Sequence, residues 1–164
     1  MFLLIFFVLG AGAVLIIAYL LALVFMVIYT LVSYLFESMF LSRVYHRKKD
    51  KHAWISYIPF VNKYFYGNLV ECRIQGIIIA ILDFVTCIYI YLFFFRVDIA
   101  MNYFFAFIVV AFLSFILNIY ISHKIYDKAL PKFSGILTVV SVLFAIARPI
   151  ILFLLRNREG LLDD

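Results

Sequence analysis

Two charged side chains stand well inside apolar runs of this sequence: Asp83 and Arg148. A charge facing hydrocarbon alone costs about 2.5–3.5 kcal/mol on insertion scales, so each requires a partner. If the two runs are helices entering from the same side, Asp83 lies roughly 14 Å deep and Arg148 roughly 18 Å deep. The depths agree within one helical turn, and the expectation is that Asp83 and Arg148 pair. Such a pair serves as a structural clasp, or it lines an ion or proton route or a ligand site. Pro149, directly after Arg148, frees a backbone carbonyl as a further acceptor.

Small residues accompany both charges. Gly76, Ala80, Asp83 and Cys87 recur at heptad-like spacing, as do Ser134, Thr138, Ser141, Ala145 and Arg148. Lipid gives helices no hydrophobic reason to meet, so small and polar stripes mark packed faces. Ser114, Asn118 and Ser122 step by four and share another face suited to interhelical hydrogen bonds. Asn102 falls roughly 160° away from Asn118 and serves a different face. Glu37 is expected at the membrane surface, in an interfacial pair with Arg43.

The other chemically capable residues do not assemble into a known catalytic pattern. His46, His52 and His123 lie in polar segments, without a carboxylate or cysteine at metal-ligand spacing. Cys72 and Cys87 are fifteen residues apart on one expected helix, roughly 22 Å, too far for a disulfide. There is no nucleotide-binding loop and no G-x-S-x-G motif. The expectation is a protein that is not an enzyme and needs no metal and no cofactor.

The elements that must carry these residues follow from composition. Of 164 residues, 68% are hydrophobic and 14% charged, and the mean hydropathy is +1.16. That excludes both an ordinary water-soluble domain and a disordered chain. The reading is an all-α, polytopic membrane helix bundle in a single transmembrane domain, 1–164. Four transmembrane helices are expected, at about 8–38, 74–95, 99–121 and 136–155. No charge occurs from Phe2 to Phe36 and no turn signal divides that stretch, so one long or tilted span is expected. Ala11-Gly12-Ala13 resembles a signal-peptidase site but lacks the basic segment such a peptide needs. Arg96-Val97-Asp98 reads as a tight connection between the second and third spans, and Pro131 as the stop after the third.

Between the first two spans, about 43–70, an amphipathic segment is expected to lie along the membrane surface. Arg47, Lys48, Lys49, Lys51, Trp54 and Lys63 would meet the headgroups of anionic lipids there. Ten Lys and Arg fall in the two loops before the second and fourth spans, against three (Arg96, Arg156 and Arg158) on the other side. The positive-inside rule then makes these loops cytoplasmic and places both termini outside the cell membrane. The run His46-Arg47-Lys48-Lys49 is too short and too closely flanked by apolar residues to suggest nucleic-acid binding.

The segment Ala53-Trp54-Ile55-Ser56-Tyr57-Ile58-Pro59-Phe60-Val61-Asn62-Lys63-Tyr64-Phe65-Tyr66-Gly67 resembles one found after the first span in small, mostly uncharacterised multi-pass bacterial membrane proteins. The likeness covers about fifteen residues of the 164 and implies a shared membrane-surface turn. It carries no activity and no site residue.

Function is expected to be association: an accessory subunit, sensor or self-assembling component whose partner is a second copy or another membrane protein. Small packing stripes and little mass outside the spans motivate this. The alternatives are an ion channel or transporter using Asp83 and Arg148, and an immunity-type protein against a membrane-active peptide or toxin.

Overall fold

The computed structural model describes residues 2–49, 53–96, 101–144 and 146–161. It is all-helical, with no strand among the described residues. The α-helices are α1 (Phe2–Arg47), α2 (Val61–Leu69), α3 (Arg73–Phe95), α4 (Phe104–Ala129), α5 (Ser134–Leu143) and α6 (Ala147–Leu155). Three helical stretches are long and apolar enough to cross a bilayer: Gly12–Arg47, Arg73–Phe93 and Phe104–Ala129. Where α1 was expected to end near residue 38 it continues to Arg47, because nothing between Phe36 and Arg47 breaks a helix. The third span likewise runs on to Ala129, as far as Pro131 permits. The connection expected at Arg96-Val97-Asp98 lies partly outside the described residues, as do Lys51 and Ala145.

The segment expected to lie flat between the first two spans instead folds into a hairpin against α1. After α1 the chain climbs back along it. In the 3₁₀ turn Ala53–Tyr57, the Ser56 hydroxyl donates to the Ser38 carbonyl at 3.4 Å, and the Tyr34 hydroxyl donates to the Tyr57 carbonyl. Pro59 and Phe60 reverse the chain, and α2 runs back beside α1. Its Tyr66 ring stacks on Phe40 at 5.9 Å, and the Tyr45 hydroxyl donates to the Phe65 carbonyl at 3.0 Å. A second reversal at Val70–Cys72 starts α3 antiparallel to α2, with Phe60 edge-on to Phe84 at 5.4 Å. From Arg47 back to Tyr34 is thirteen residues of helix, about 20 Å, more than half the thickness of a hydrocarbon core. Ser56, Asn62 and Tyr66 are at most 2% exposed, packed against the rest of the chain. Lys49, Phe60 and Glu71, the non-glycine residues with positive φ among those described, occupy the three chain reversals.

A second hairpin replaces the expected fourth helix. Across 136–155 the described residues form two helices, α5 ending at Leu143 and α6 starting at Ala147. Proline has no N–H and clashes with the carbonyl four residues back, so Pro149 is accommodated in the first turn of a new helix rather than inside a long one. The short connection Leu130–Phe133 folds α5 back over the end of α4. His123 Nδ1 lies 2.9 Å from the Thr138 hydroxyl, and the Tyr126 and Ser141 hydroxyls are 2.8 Å apart. α6 then runs alongside α1 in the same direction: Phe153 stacks on Phe36 at 5.0 Å, and Arg47 donates to the Asn157 carbonyl at 2.7 Å. The end of α6 therefore lies beside the basic end of α1, not across the molecule from it.

The core sits at this basic end. Phe40, Leu41, Val44, Tyr66, Ile121, Ile125, Leu152 and Leu161 pack into one cluster there. Beyond the reach of the hairpins the structure thins: α3 and α4 pair through the stack of Tyr89 on Phe107 at 4.1 Å.

α2 and α3 approach each other closely at Gly67 and Gly76. A Cβ on Gly67 would stand 2.5 Å from the Cys72 carbonyl oxygen and 2.8 Å from Gly76 Cα; one on Gly76 would stand 2.7 Å from the Lys63 carbonyl oxygen. These neighbours are backbone and cannot swing aside. Gly67→Ala is expected to destabilise the protein by about 1–3 kcal/mol in thermal unfolding in detergent. Gly135→Ala, where a Cβ meets nothing within 4 Å, should be neutral or slightly stabilising.

Candidate functional site

Three elements that are distant in sequence converge on one carboxylate. Glu37, on the α1 face toward both hairpins, has a side chain 8% exposed. Lys63 of α2 reaches its Oε2 at 3.0 Å, and Arg148, in the first turn of α6, reaches its Oε1 at 3.4 Å. The Tyr66 ring lies near both cations, 5.6 Å from Lys63 Nζ and 5.9 Å from Arg148 Cζ. Its hydroxyl donates to the Glu37 backbone carbonyl at 3.4 Å. Both carboxylate oxygens of Glu37 are thus paired with cations from different hairpins.

The network continues sideways through α4 into α3. Arg148 Nη2 donates to Asn118 Oδ1 at 3.2 Å, Asn118 Nδ2 donates to the Ser114 hydroxyl oxygen at 3.2 Å, and Ser114 donates to Asp83 Oδ1 at 2.5 Å. Glu37 is ten residues before the end of α1, Asp83 ten after the start of α3, and Asn118 eleven before the end of α4. At about 1.5 Å per residue these groups share a level about 15 Å from the basic end. Two acidic and two basic side chains are joined across the bundle at one depth.

This corrects the central expectation from sequence. Arg148 pairs with Glu37, not with Asp83, and Asp83 reaches it only through Ser114 and Asn118. α3 makes no extensive contact with α5 or α6 among the described residues, because α4 lies between them. Glu37, expected to pair with Arg43, is buried and pairs with Lys63 and Arg148 instead. Lys63, expected at the lipid headgroups, is part-buried against Glu37.

The stripes separate accordingly. Gly76 packs on Gly67 of α2, and Ala80 lines an apolar groove with Phe60 and Tyr64. Thr138 and Ser141 face α4 through His123 and Tyr126, not α3. Ser114 and Asn118 share the polar face of α4, while Ser122 donates to its own helix at the Asn118 carbonyl. Of the basic cluster, Arg47 binds the Asn157 carbonyl, Lys48 sits near Tyr45 and Asn68, and Lys49 is exposed. Trp54 is 62% exposed on the first hairpin.

Sequence reasoning did not find Glu37, Lys63 or Tyr66 as one site. The available signal was the unbroken helical character of Phe36 to Arg47, which sets the depth of Glu37. Above the network a crevice of about 160 Å³ opens between α1, α4 and α5, lined by Tyr29, Glu37, Asn118, Ser141, Arg148 and Pro149. No cluster of three or more metal-binding side chains occurs among the described residues.

A double-mutant cycle reads the network directly. Glu37→Gln and Arg148→Gln should each lower stability by about 3 kcal/mol, since each leaves charge without its counterion, and the double change should cost less than their sum. The coupling of Asp83→Asn with Arg148→Gln should be clearly weaker, because it passes through two neutral side chains. A larger coupling for Asp83 than for Glu37 would restore the direct pair. No family model, no curated protein and no solved structure matches this chain.

Proposed function

We propose that this is an integral membrane protein that acts by association through α1, with a second copy of the chain as its partner. The observation that carries this reading is the isolation of that helix. In Gly12–Arg47, the most apolar stretch is 0% buried within its own chain. Ile17, Tyr19, Leu20, Phe25 and Val27 are each more than half exposed, and together with the exposed Ala18 and Ala22 they cover every side of the helix. Ala18 and Ala22, also exposed, supply the small-x₃-small spacing that lets two helices approach closely in lipid. The polar network favours a clasp over a conduction path: it links the elements across the bundle at one depth rather than along the helix axes. Asp83 and Arg148, the pair a channel or transporter would use, are not in contact.

In this reading both hairpins are re-entrant, entering from the cytoplasmic face and turning near mid-bilayer. The described turns keep backbone donors satisfied: Ile58 N–H donates to the Ile55 carbonyl, Phe144 N–H to Val140 and Ala147 N–H to Phe144. Ten described basic residues (Arg43, Arg47, Lys48, Lys49, Arg73, Lys124, Lys128, Lys132, Arg156 and Arg158) fall at or within two turns of the cytoplasmic end, against Arg96 at the other. This bias is stronger than the four-span arrangement gives, and it moves the end of α6 to the cytoplasmic side.

Two measurements test these readings. A reporter fused after residue 164 should be active in its cytoplasmic form and silent in its external form; the reverse would overturn the re-entrant second hairpin. For association, single cysteines at positions 17 to 31, in a Cys72→Ser/Cys87→Ser background, should cross-link between copies in membranes with a helical period. Mass measurement in mild detergent should give a dimer or larger. A strict monomer with no cross-link at any position would remove the proposal.

A further inference from the structure

At the basic end of α1, Met39, Ser42, Arg43 and His46 recur at helical spacing and form one face. This face, the Tyr57 end of the first hairpin and Arg156-Asn157 after α6 enclose an open recess of about 380 Å³. Two arginines and a histidine contribute to its wall, with hydroxyls from Ser42 and Tyr57, and no lining residue is acidic. The guanidinium of Arg156 stacks on Phe153, 3.6 Å from the ring centroid. Its Nη1 is buried and has no hydrogen-bond partner among the described residues. That atom is closed to the recess as it is to solvent, so Arg156 acts on an anion there through the charge of its guanidinium. The bond from Arg47 to the Asn157 carbonyl holds this wall against α1.

We propose that this recess is a binding site for the phosphate of an anionic phospholipid, held by Arg43, His46 and Arg156. The proposal rests on the membrane placement above, which sets the recess at headgroup depth. A lipid fits better than a free phosphate ion because the recess opens onto an apolar surface on its membrane side. Met39 is on its wall, and Leu35 and Val32, one and two turns deeper on α1, are exposed, as is Leu154 on α6 at 70%. A headgroup in the recess would leave acyl chains along these side chains. The set is separate from Lys48, whose own recess also contains the acidic Glu71, and from the exposed Lys49. A basic residue that served only to bias orientation would need no concave wall.

Trp54, the one tryptophan of the chain, is three residues before Tyr57 and is exposed. It provides the readout: quenching of its fluorescence by brominated phosphatidylglycerol in phosphatidylcholine vesicles, compared with the converse labelling. Brominated phosphatidylglycerol should quench more strongly. Its preference should fall about fivefold in Arg43→Gln and again in Arg156→Gln, while Lys48→Gln/Lys49→Gln should retain most of it. Arg43 is exposed, so its variant reports on the site even if Arg156→Gln fails to fold. Equal quenching by both lipids, or a preference lost only with Lys48 and Lys49, would overturn the site. Displacement by millimolar inorganic phosphate would overturn the lipid as its occupant. Absence of quenching by either lipid would instead overturn the membrane placement.

Discussion

The fold depends on a single carboxylate satisfied by two cations. Glu37 lies on a helix with no other charge between Phe2 and Arg43, and burying it alone would be prohibitive. Lys63 and Arg148 each face the same difficulty in their own hairpins. Joined, the three remove one another's cost, and the geometry that joins them brings both hairpins onto the same face of α1. A buried ion pair of this kind adds little net stability compared with well-packed apolar groups, but losing one member is severe. Its contribution is specificity: among the many ways apolar helices can pack in lipid, it selects the one in which α2 and α6 flank α1 at the level of Glu37.

Once that level is set, the rest of the polar wiring follows. Arg148 has more N–H groups than Glu37 can accept from, and Asn118 of α4 takes another. Asn118 spans two neighbours because its amide both accepts and donates, which leaves the Ser114 hydroxyl hydrogen for Asp83. The order of the chain, acid–base–amide–hydroxyl–acid, is dictated by donor and acceptor inventories. That is why Asp83 and Arg148 lie at matching depths without touching.

How legible this was in the sequence differs by element. The all-helical class, the second span and the polar face Ser114/Asn118 follow from composition and periodicity, which are local properties. The depth of charged residues was readable in part: Asp83 and Arg148 were recognised as requiring partners because each interrupts an apolar run from within. Glu37 was misplaced because it closes such a run, and a charge at the end of an apolar run is ordinarily interfacial. What corrects this is a second local property, the lack of any helix breaker before Arg47. The hairpins were less accessible. Trp54 to Gly67 has the aromatic and polar mixture of a membrane surface, and only tertiary contacts distinguish a segment on that surface from one folded down against α1. Pro149 carried a readable signal, since twenty apolar residues containing a proline can be one kinked span or two half-length helices. The structure takes the second course, with Arg148 in the first turn of α6 reaching Glu37.

Half-length hairpins have a consequence for the whole molecule. They fill one half of the bundle and leave the other to long helices alone, so the core, the ion network and nearly all the basic residues gather at one end. There, α1 is packed on two sides; its most apolar stretch is 0% buried within the chain. A helix built this way is anchored in orientation and depth at one end and free along its exposed length. In water that length would have to be covered for the protein to be stable. In lipid it need not be, because acyl chains satisfy it as well as another helix does. Stability therefore places no demand on that surface, and any preference it has for a second helix arises from close backbone approach at small residues such as Ala18 and Ala22. The rigid end fixes how such a helix is presented, and the unpacked length determines what it meets.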